Sequence, residues 1–564
     1  MLLRPQRLQS QFESQGPGSA RLGYRAQGVF LPPILPRRRR CLAVKAASRP
    51  SGARRVYRES QSGSSLSVAP VKQLASFVVP VASFFAVTFV LWKLVEKILV
   101  PKRQRTSSVE SSTPAQGMKW SFAAGTNLLS GLGAKIERES KLKLNDFAKE
   151  LKSFRSVDLS EVSFAANGIT GTGMKAFDGV LQSNVMLKTL NLSGNPIGDE
   201  GAKCLCDVLV NNDGIEKLQL NSTDIGDEGA KAIAEMLKKN STLRVLELNN
   251  NMIDYSGFTS LAGALAENNT LRNIHLNGNY GGALGANALA KGLEGNKSLR
   301  ELHLHGNSIG DEGVNALMSG LSLHKGKLTL LDIGNNSFTA KGAFHVGGYI
   351  KKTKNLLWLN LYMNDIGDEG AEKIADALKQ NRTITTIDMG GNNIHAKGVT
   401  AIAEALKDNS VITFLELGYN PMGPDGVKAL SEVLKFNGNI ETLKLGWCQI
   451  GAKGAEFIAD MLKYNTTIRV LDLRANGLRN EGASCLARSL KVVNEALTSL
   501  DLGFNEIRDD GAFAIAQALK ANEDVTVTSL NVASNFLTKF GQSALTDARD
   551  HVYEMSEKEI NIFF

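Results

Sequence analysis

The sequence predicts an α/β solenoid, with one parallel β-sheet on the inside of a curve and helices on the outside. Three observations carry that prediction. The stretch at residues 187–212, LKTLNLSGNPIGDEGAKCLCDVLVNN, recurs along the chain. Each copy then changes its apolar spacing half-way, and in all but two copies a turn-forming asparagine marks the change. The asparagine closing L-x-x-L-x-L-x-x-N stands at Asn167, Asn195, Asn251, Asn279, Asn307, Asn336, Asn364, Asn392, Asn420, Asn476, Asn505 and Asn535. Thr223 and Cys448 take its place in the other two copies. About 14 repeats of 28 residues result, with two steps of 29 and one of 30. A fixed period of this size marks a solenoid.

Within a copy, Leu187, Leu190 and Leu192 have the spacing of a short strand with one buried face. Asn195 turns the chain, Ile197 buries and Gly198 breaks. Asp199 can cap the following helix, whose first turn also carries Glu200. Ala202, Leu205 and Leu209 continue at helical spacing. One unit cannot bury its own apolar face, but a stack makes a continuous core. Strands need about 4.8 Å per repeat and helices about 9 Å, so strands line the inside and the chain turns roughly 20–25° per repeat. The buried marker amides should satisfy backbone groups at the turn. Thr223 and Cys448 can do only part of this, which predicts looser turns there.

These residues resemble the leucine-rich repeats of the ribonuclease-inhibitor class, whose long repeats and outer ring of helices match the unit seen here. The resemblance spans about 390 of 564 residues. It implies a horseshoe and leaves function open, because the class hosts many binding roles.

The net charge of +9 is unevenly spread. Residues 1–105 hold 19 Lys and Arg against 3 acids, whereas the rest holds 46 against 53. An acidic repeat region argues against a nucleic-acid track. Cys41, Cys204, Cys206, Cys448 and Cys485 form no disulfide framework.

In chain order, residues 1–46 read as a transit peptide, rich in Arg, Ser, Gly and Pro. Arg37 to Arg40, followed by Cys41-Leu42-Ala43-Val44-Lys45-Ala46-Ala47, resembles a plastid processing site; a mitochondrial address is the alternative. Residues 47–72 continue as an unstructured leader. Residues 73–92, QLASFVVPVASFFAVTFVLW, hold no formal charge and are long enough to span a bilayer. Lys93, Lys97, Lys102, Arg103 and Arg105 follow, which places the repeats on the stromal side of an inner-envelope or thylakoid membrane. Residues 93–117 form a basic linker, 118–156 an N-terminal cap, 157–539 the repeat domain and 540–564 a C-terminal cap. Phe540 to Tyr553 are expected to be the closing helix.

Catalytic motifs do not stand out. The chain has no G-x-x-x-x-G-K-[ST], no G-x-S-x-G and no H-E-x-x-H. The glycines of 278–285 fall where other copies read N-x-I-G-D-E-G, so an altered turn explains them better than a phosphate cradle. Asp199-Glu200, Asp227-Glu228, Asp311-Glu312 and Asp368-Glu369 form a carboxylate row that helix capping explains without a ligand.

Side chains alternate faces along a strand, so the third, fifth and seventh positions look into the hollow. That column gives two patches. The aromatic patch contains Trp358, Tyr362, Phe414 and, one position on, Tyr419, Trp447 and Phe504. Asp388, Glu416, Asp472 and Asp501 stand among them, with Lys444 and Arg474. The leucines already fill the core, and exposed aromatics flanked by charge compose binding hot spots. The bland alternative is that these rings only pack on each other or on a terminal cap. The secondary patch contains His275, Glu301, His303, His305 and Asp332, beside Asn273 and Asn277. Imidazole and carboxylate suit Zn²⁺. A flat sheet splays its ligands, so the expectation is a polar, pH-sensitive contact surface without metal.

The sequence therefore predicts a membrane-anchored scaffold, not an enzyme, that grips a protein with a basic or apolar protrusion on its concave face. It expects no cofactor, nucleic acid or small-molecule substrate. The alternative is a GTPase regulator, because a Ran-GTPase activator family shares the repeat class. No residue here matches such an activator's edge residues, and a single-turnover GTPase assay separates the two readings.

Overall fold

The computed structural model describes residues 160–177, 181–182, 184–491, 496–522 and 524–564. The chain divides into units Met1–Gln116 and Gly117–Phe564, and every described residue belongs to the second. The expected transit peptide, leader, membrane span, linker and N-terminal cap lie outside the described residues. Among those described, no helix is long and apolar enough to cross a membrane.

Fifteen three-residue strands make one sheet in sequence order, from β1 (Glu161–Ser163) to β15 (Asn561–Phe563). Neighbours are parallel and register one repeat on, as Leu190 of β2 (Thr189–Asn191) pairs with Leu218 of β3 (Lys217–Gln219). A 3-10 helix, Gly173–Phe177, follows β1; an α-helix follows each strand from β2 to β14, from Gly198–Leu209 to Lys539–Ser556. The strand leucines and the helical Ala202, Leu205 and Leu209 are buried in one continuous core. The fold is thus the expected leucine-rich-repeat solenoid.

The strands stay short because the next turn is left-handed. The residue before each marker has positive φ, with Gly194 at 72° and Asn250 at 55°. Marker amides then stitch the turns together. Asn195 Nδ2 donates to the carbonyls of Leu192 (2.7 Å) and Phe164 in the preceding repeat (2.9 Å). Its Oδ1 accepts from the N–H groups of Asn167 and Ile169, both at 2.9 Å. Thr223 and Cys448 do less. Thr223 Oγ1 donates to the Leu220 carbonyl at 2.8 Å, and the Cys448 thiol reaches that of Leu417 at 3.3 Å. In the turns one repeat upstream, the N–H groups of Ile197 and Met422 fold back onto the carbonyls of Asn195 and Asn420, at 2.8 and 2.7 Å.

The carboxylate row does cap helices, but not its own. The helix Gly198–Leu209 begins after Ile197 with no side-chain cap. Asp199 Oδ1 instead accepts from Gly226 and Gly229, at 2.6 and 3.0 Å, at the start of the next helix, Asp227–Lys239. Asp227 repeats this on Asp254 and Gly257, Asp311 on Thr339 and Gly342, and Asp368 on His395 and Gly398. Each acid sits one repeat upstream of the amides it satisfies. The altered turn at 278–285 also has a packing cause. A Cβ on Gly281 would meet the Phe258 ring at 2.6 Å, so a phenylalanine from the previous helix fills the space that Ile197 fills elsewhere.

The tail holds the expected closing helix and one further strand. The closing helix runs Lys539–Ser556 and buries Leu545, Ala548 and Val552, while Phe540 and Tyr553 are exposed. The periodicity misses the fifteenth strand, whose Ile562 pairs with Leu530 of β14 (Ser529–Asn531).

Candidate functional site

The site is built on the fifth position of each repeat, the last residue of each strand. Its side chain faces away from the helices, because its neighbours on either side are core leucines. Register aligns Glu247, His275, His303, Asp332, Asn360, Asp388, Glu416, Lys444, Asp472 and Asp501 in one ladder across ten strands. Both expected patches lie along this ladder.

A feature absent from the sequence reading shapes its upper wall. Gly334, Gly390, Gly418, Gly446 and Gly503 stand at the seventh position, two residues after a charged ladder residue. The N–H groups of Gly390, Gly418 and Gly503 donate to Asp388, Glu416 and Asp501, each at 2.9 Å. A Cβ on Gly418 would lie 2.7 Å from Glu416 Oε1. Small residues here let the acids fold against the backbone and leave a trough above them. The signal was legible as a charged residue, an apolar residue and glycine before the marker.

Aromatic rings occupy that trough. Tyr362 meets Tyr419 edge-on at 6.4 Å between centroids, and Tyr419 stacks on Trp447 at 5.8 Å and 9°. His305 stacks on Tyr362 from the other side at 6.5 Å. Phe414 instead lies under Lys444, whose Nζ is 5.0 Å from the ring centre and 3.4 Å from Glu416 Oε2. Trp358 is half-buried at the third position, and Phe504 stands further along the same edge. The rings do pack on one another, yet Tyr419, Trp447 and Phe504 remain 41%, 48% and 56% exposed. All three sit at the left-handed turn position, with φ of 59°, 61° and 59°. A bulky side chain there costs roughly 1–2 kcal/mol relative to glycine.

The acids are not equivalent. Burial raises Asp388 to about 6, and burial with the neighbouring Asp388 charge raises Glu416 to about 7. Glu416 is therefore near half-ionised at neutral pH while Asp388 is mostly ionised, and a nearby cation would favour the charged form of each. Asp472 is buried, accepts from the Arg474 N–H at 3.0 Å and holds that guanidinium through Nε at 2.8 Å. The pair is closed on itself, so neither partner is a free charge. Asp501 accepts from Asn531 at 3.0 Å.

At the other end, the His275 and His303 rings are stacked, with centres 3.9 Å apart and planes 10° from parallel. Asp332 is buried and sits 3.8 Å from His303 Nδ1 and 3.6 Å from His305 Nδ1. Burial pushes its carboxyl up, but the two imidazoles outweigh that and hold it at about 2. Burial, reinforced by His303, lowers His275 to about 4. Glu301 lies 3.8 Å from His303 Nε2. Beyond His275, sequence reasoning missed Glu247, which binds Lys217 (2.9 Å), Gln219 (2.9 Å) and Asn221 (2.8 Å).

No curated protein matches the chain. Among solved structures it is similar to leiomodin-1 actin-binding site 2, at 24% identity over 27% of this chain and 88% of that one, TM-score 0.23. It is also similar to an internalin from Listeria monocytogenes, at 17% identity over 71% and 86%, TM-score 0.35. A yeast complex of Rad7 and Elc1 follows, at 14% identity over 57% and 91%, TM-score 0.33. The family model described as the NLRC3 LRR domain matches residues 141–549, so the chain belongs to that leucine-rich-repeat family.

Proposed function

We propose that the exposed sheet face docks a protein partner whose protrusion is basic or apolar. In this reading the chain is a scaffold that residues 73–92 anchor in a plastid membrane, with the repeats facing the stroma. One observation carries the docking reading. Tyr419, Trp447 and Phe504 are exposed at left-handed positions where folding favours glycine, above carboxylates lifted towards neutral pH. Folding alone gives no reason for large rings there, whereas aromatic anchors with flanking charge suit a protein interface. The plastid reading rests on the basic, acid-poor leader and the uncharged twenty-residue stretch.

The test places a photo-crosslinking amino acid at Tyr419 in the full chain, in intact plastids. The expected result is a discrete adduct that disappears in Trp447→Asn. That variant should melt no lower than the parent, because asparagine tolerates the left-handed turn. An equal adduct from Tyr464, which is exposed on the helical side, or one indifferent to Trp447→Asn, overturns the docking reading. Release of the chain by alkaline carbonate overturns the anchor.

A further inference from the structure

We propose that His275, Glu301 and His303 form a divalent-metal site, for Zn²⁺ or a metal of similar ligand preference. The sequence argued against metal because a flat sheet splays its ligands. The structure answers that objection. One ligand atom from each of the three residues lies within 4.8 Å of the other two. Register makes His275 of β5 (Asn273–His275) the direct neighbour of His303 of β6 (Glu301–His303). Glu301 and His303 share the outward face of β6, two residues apart. The two rings are stacked 3.9 Å apart, so shared ligation requires them to turn until both planes meet at the ion.

A second observation is independent of this clustering. His303 Nε2 is buried and has no hydrogen-bond partner. A buried ring nitrogen without a partner carries a desolvation cost of roughly 1–3 kcal/mol, which a metal ion would remove. The other ring nitrogen already has its orienting group. Asp332 sits 3.8 Å from His303 Nδ1, close enough to favour the Nδ1–H tautomer and leave the Nε2 lone pair free. Metal-binding histidines are commonly held this way, with a carboxylate behind the ligating ring.

Tetrahedral Zn²⁺ with ligands at about 2.0–2.1 Å needs donor atoms about 3.3 Å apart. Side-chain rotation of the three residues must bring the donors from within 4.8 Å to that spacing. The neighbouring Lys217 is paired with Glu247 at 2.9 Å. One carboxylate and two neutral imidazoles suit Zn²⁺ over Ca²⁺ or Mg²⁺, which prefer oxygen ligands.

The experiment titrates chelator-stripped full-length protein with Zn²⁺ alone, in competition with a chromophoric chelator. One ion per chain is expected, with two imidazoles in the first shell by X-ray absorption. His303→Ala should abolish stoichiometric binding, and Glu301→Gln and His275→Gln should each weaken it at least tenfold. Asp332→Asn, acting through His303, should weaken it by about 10–100-fold. His395→Gln, on an exposed turn, should leave it unchanged. Circular dichroism checks each fold; should His303→Ala unfold, the half-exposed Glu301→Gln decides alone. Binding below one ion per chain, or equal affinity in Glu301→Gln and parent, overturns the site.

Discussion

Asp388 and Glu416 are register neighbours in β9 (Thr386–Asp388) and β10 (Phe414–Glu416), and their chemistry sets how the trough responds to pH. Burial first, then mutual repulsion, keeps Glu416 protonated to about 7 in the folded chain, against 4.5 for the free group. The folded state therefore binds more protons than the unfolded one between those values, and stability falls as pH rises through that window. Glu416→Gln should remove this decline and raise stability at pH 8 by on the order of 1–3 kcal/mol, with little effect near pH 4. Denaturant melts of variant and parent at the two pH values check it; an equal change at both would contradict the account. The histidine end has the opposite sign. His275, lowered by burial to about 4, contributes stability that is present above its unfolded value of 6.5 and lost as pH falls towards 4. Asp332 contributes above 3.8 and loses it towards 2. Falling pH thus loosens one end of the ladder, and rising pH, through about 7, the other.

Among the elements, the repeat's helix depends on its predecessor. The first amides of Asp227–Lys239 are satisfied by Asp199 from the repeat before. Asp199→Ala should cost about 1 kcal/mol, as loss of a helix cap does. Its mark is location. Amide exchange should rise at Gly226 and Gly229, one repeat downstream, not in the aspartate's own helix Gly198–Leu209. Faster exchange confined to that helix would restore the local capping expected from sequence. A second tie of this kind was also missed. Asn240 Nδ2 donates to the Leu209 carbonyl of the previous repeat at 2.9 Å, and its Oδ1 accepts from Thr242 and Leu243 at 2.9 and 2.8 Å. Asn268, Asn296, Asn409 and Asn465 reach the previous helix in the same way.

Among the described residues, helices and strands contact only those of neighbouring repeats, so stability is approximately a sum of units and interfaces. The last interface is the strand β15. Its Asn561 N–H donates to Thr528, and its Phe563 carbonyl accepts from Val532, both at 2.8 Å. Deleting residues 557–564 bares the edge of β14. Hydrogen exchange should rise there and in the helix Lys539–Ser556 while β5 to β10 stay protected. Exchange rising equally at β5 would show a cooperativity that nearest-neighbour stacking does not provide.

The sequence by itself determined the period, the strand–turn–helix unit, the core leucines and the structural role of the marker asparagines. These are local patterns repeated fourteen times, and repetition lets one residue's environment stand for all. It also placed the ladder residues on one outward face, because alternation along a strand is a property of the backbone. Only the tertiary structure decided which groups meet across repeats. Caps reach one unit downstream, Asp472 closes on Arg474, and Tyr419 and Trp447 stack from a turn whose handedness the spacing does not reveal. It also brought His275, Glu301 and His303 together, because side-chain direction between stacked strands depends on packing, whereas sequence fixes only which residues are neighbours. The fifteenth strand escaped for a related reason: it pairs through its backbone and carries no marker of the repeat.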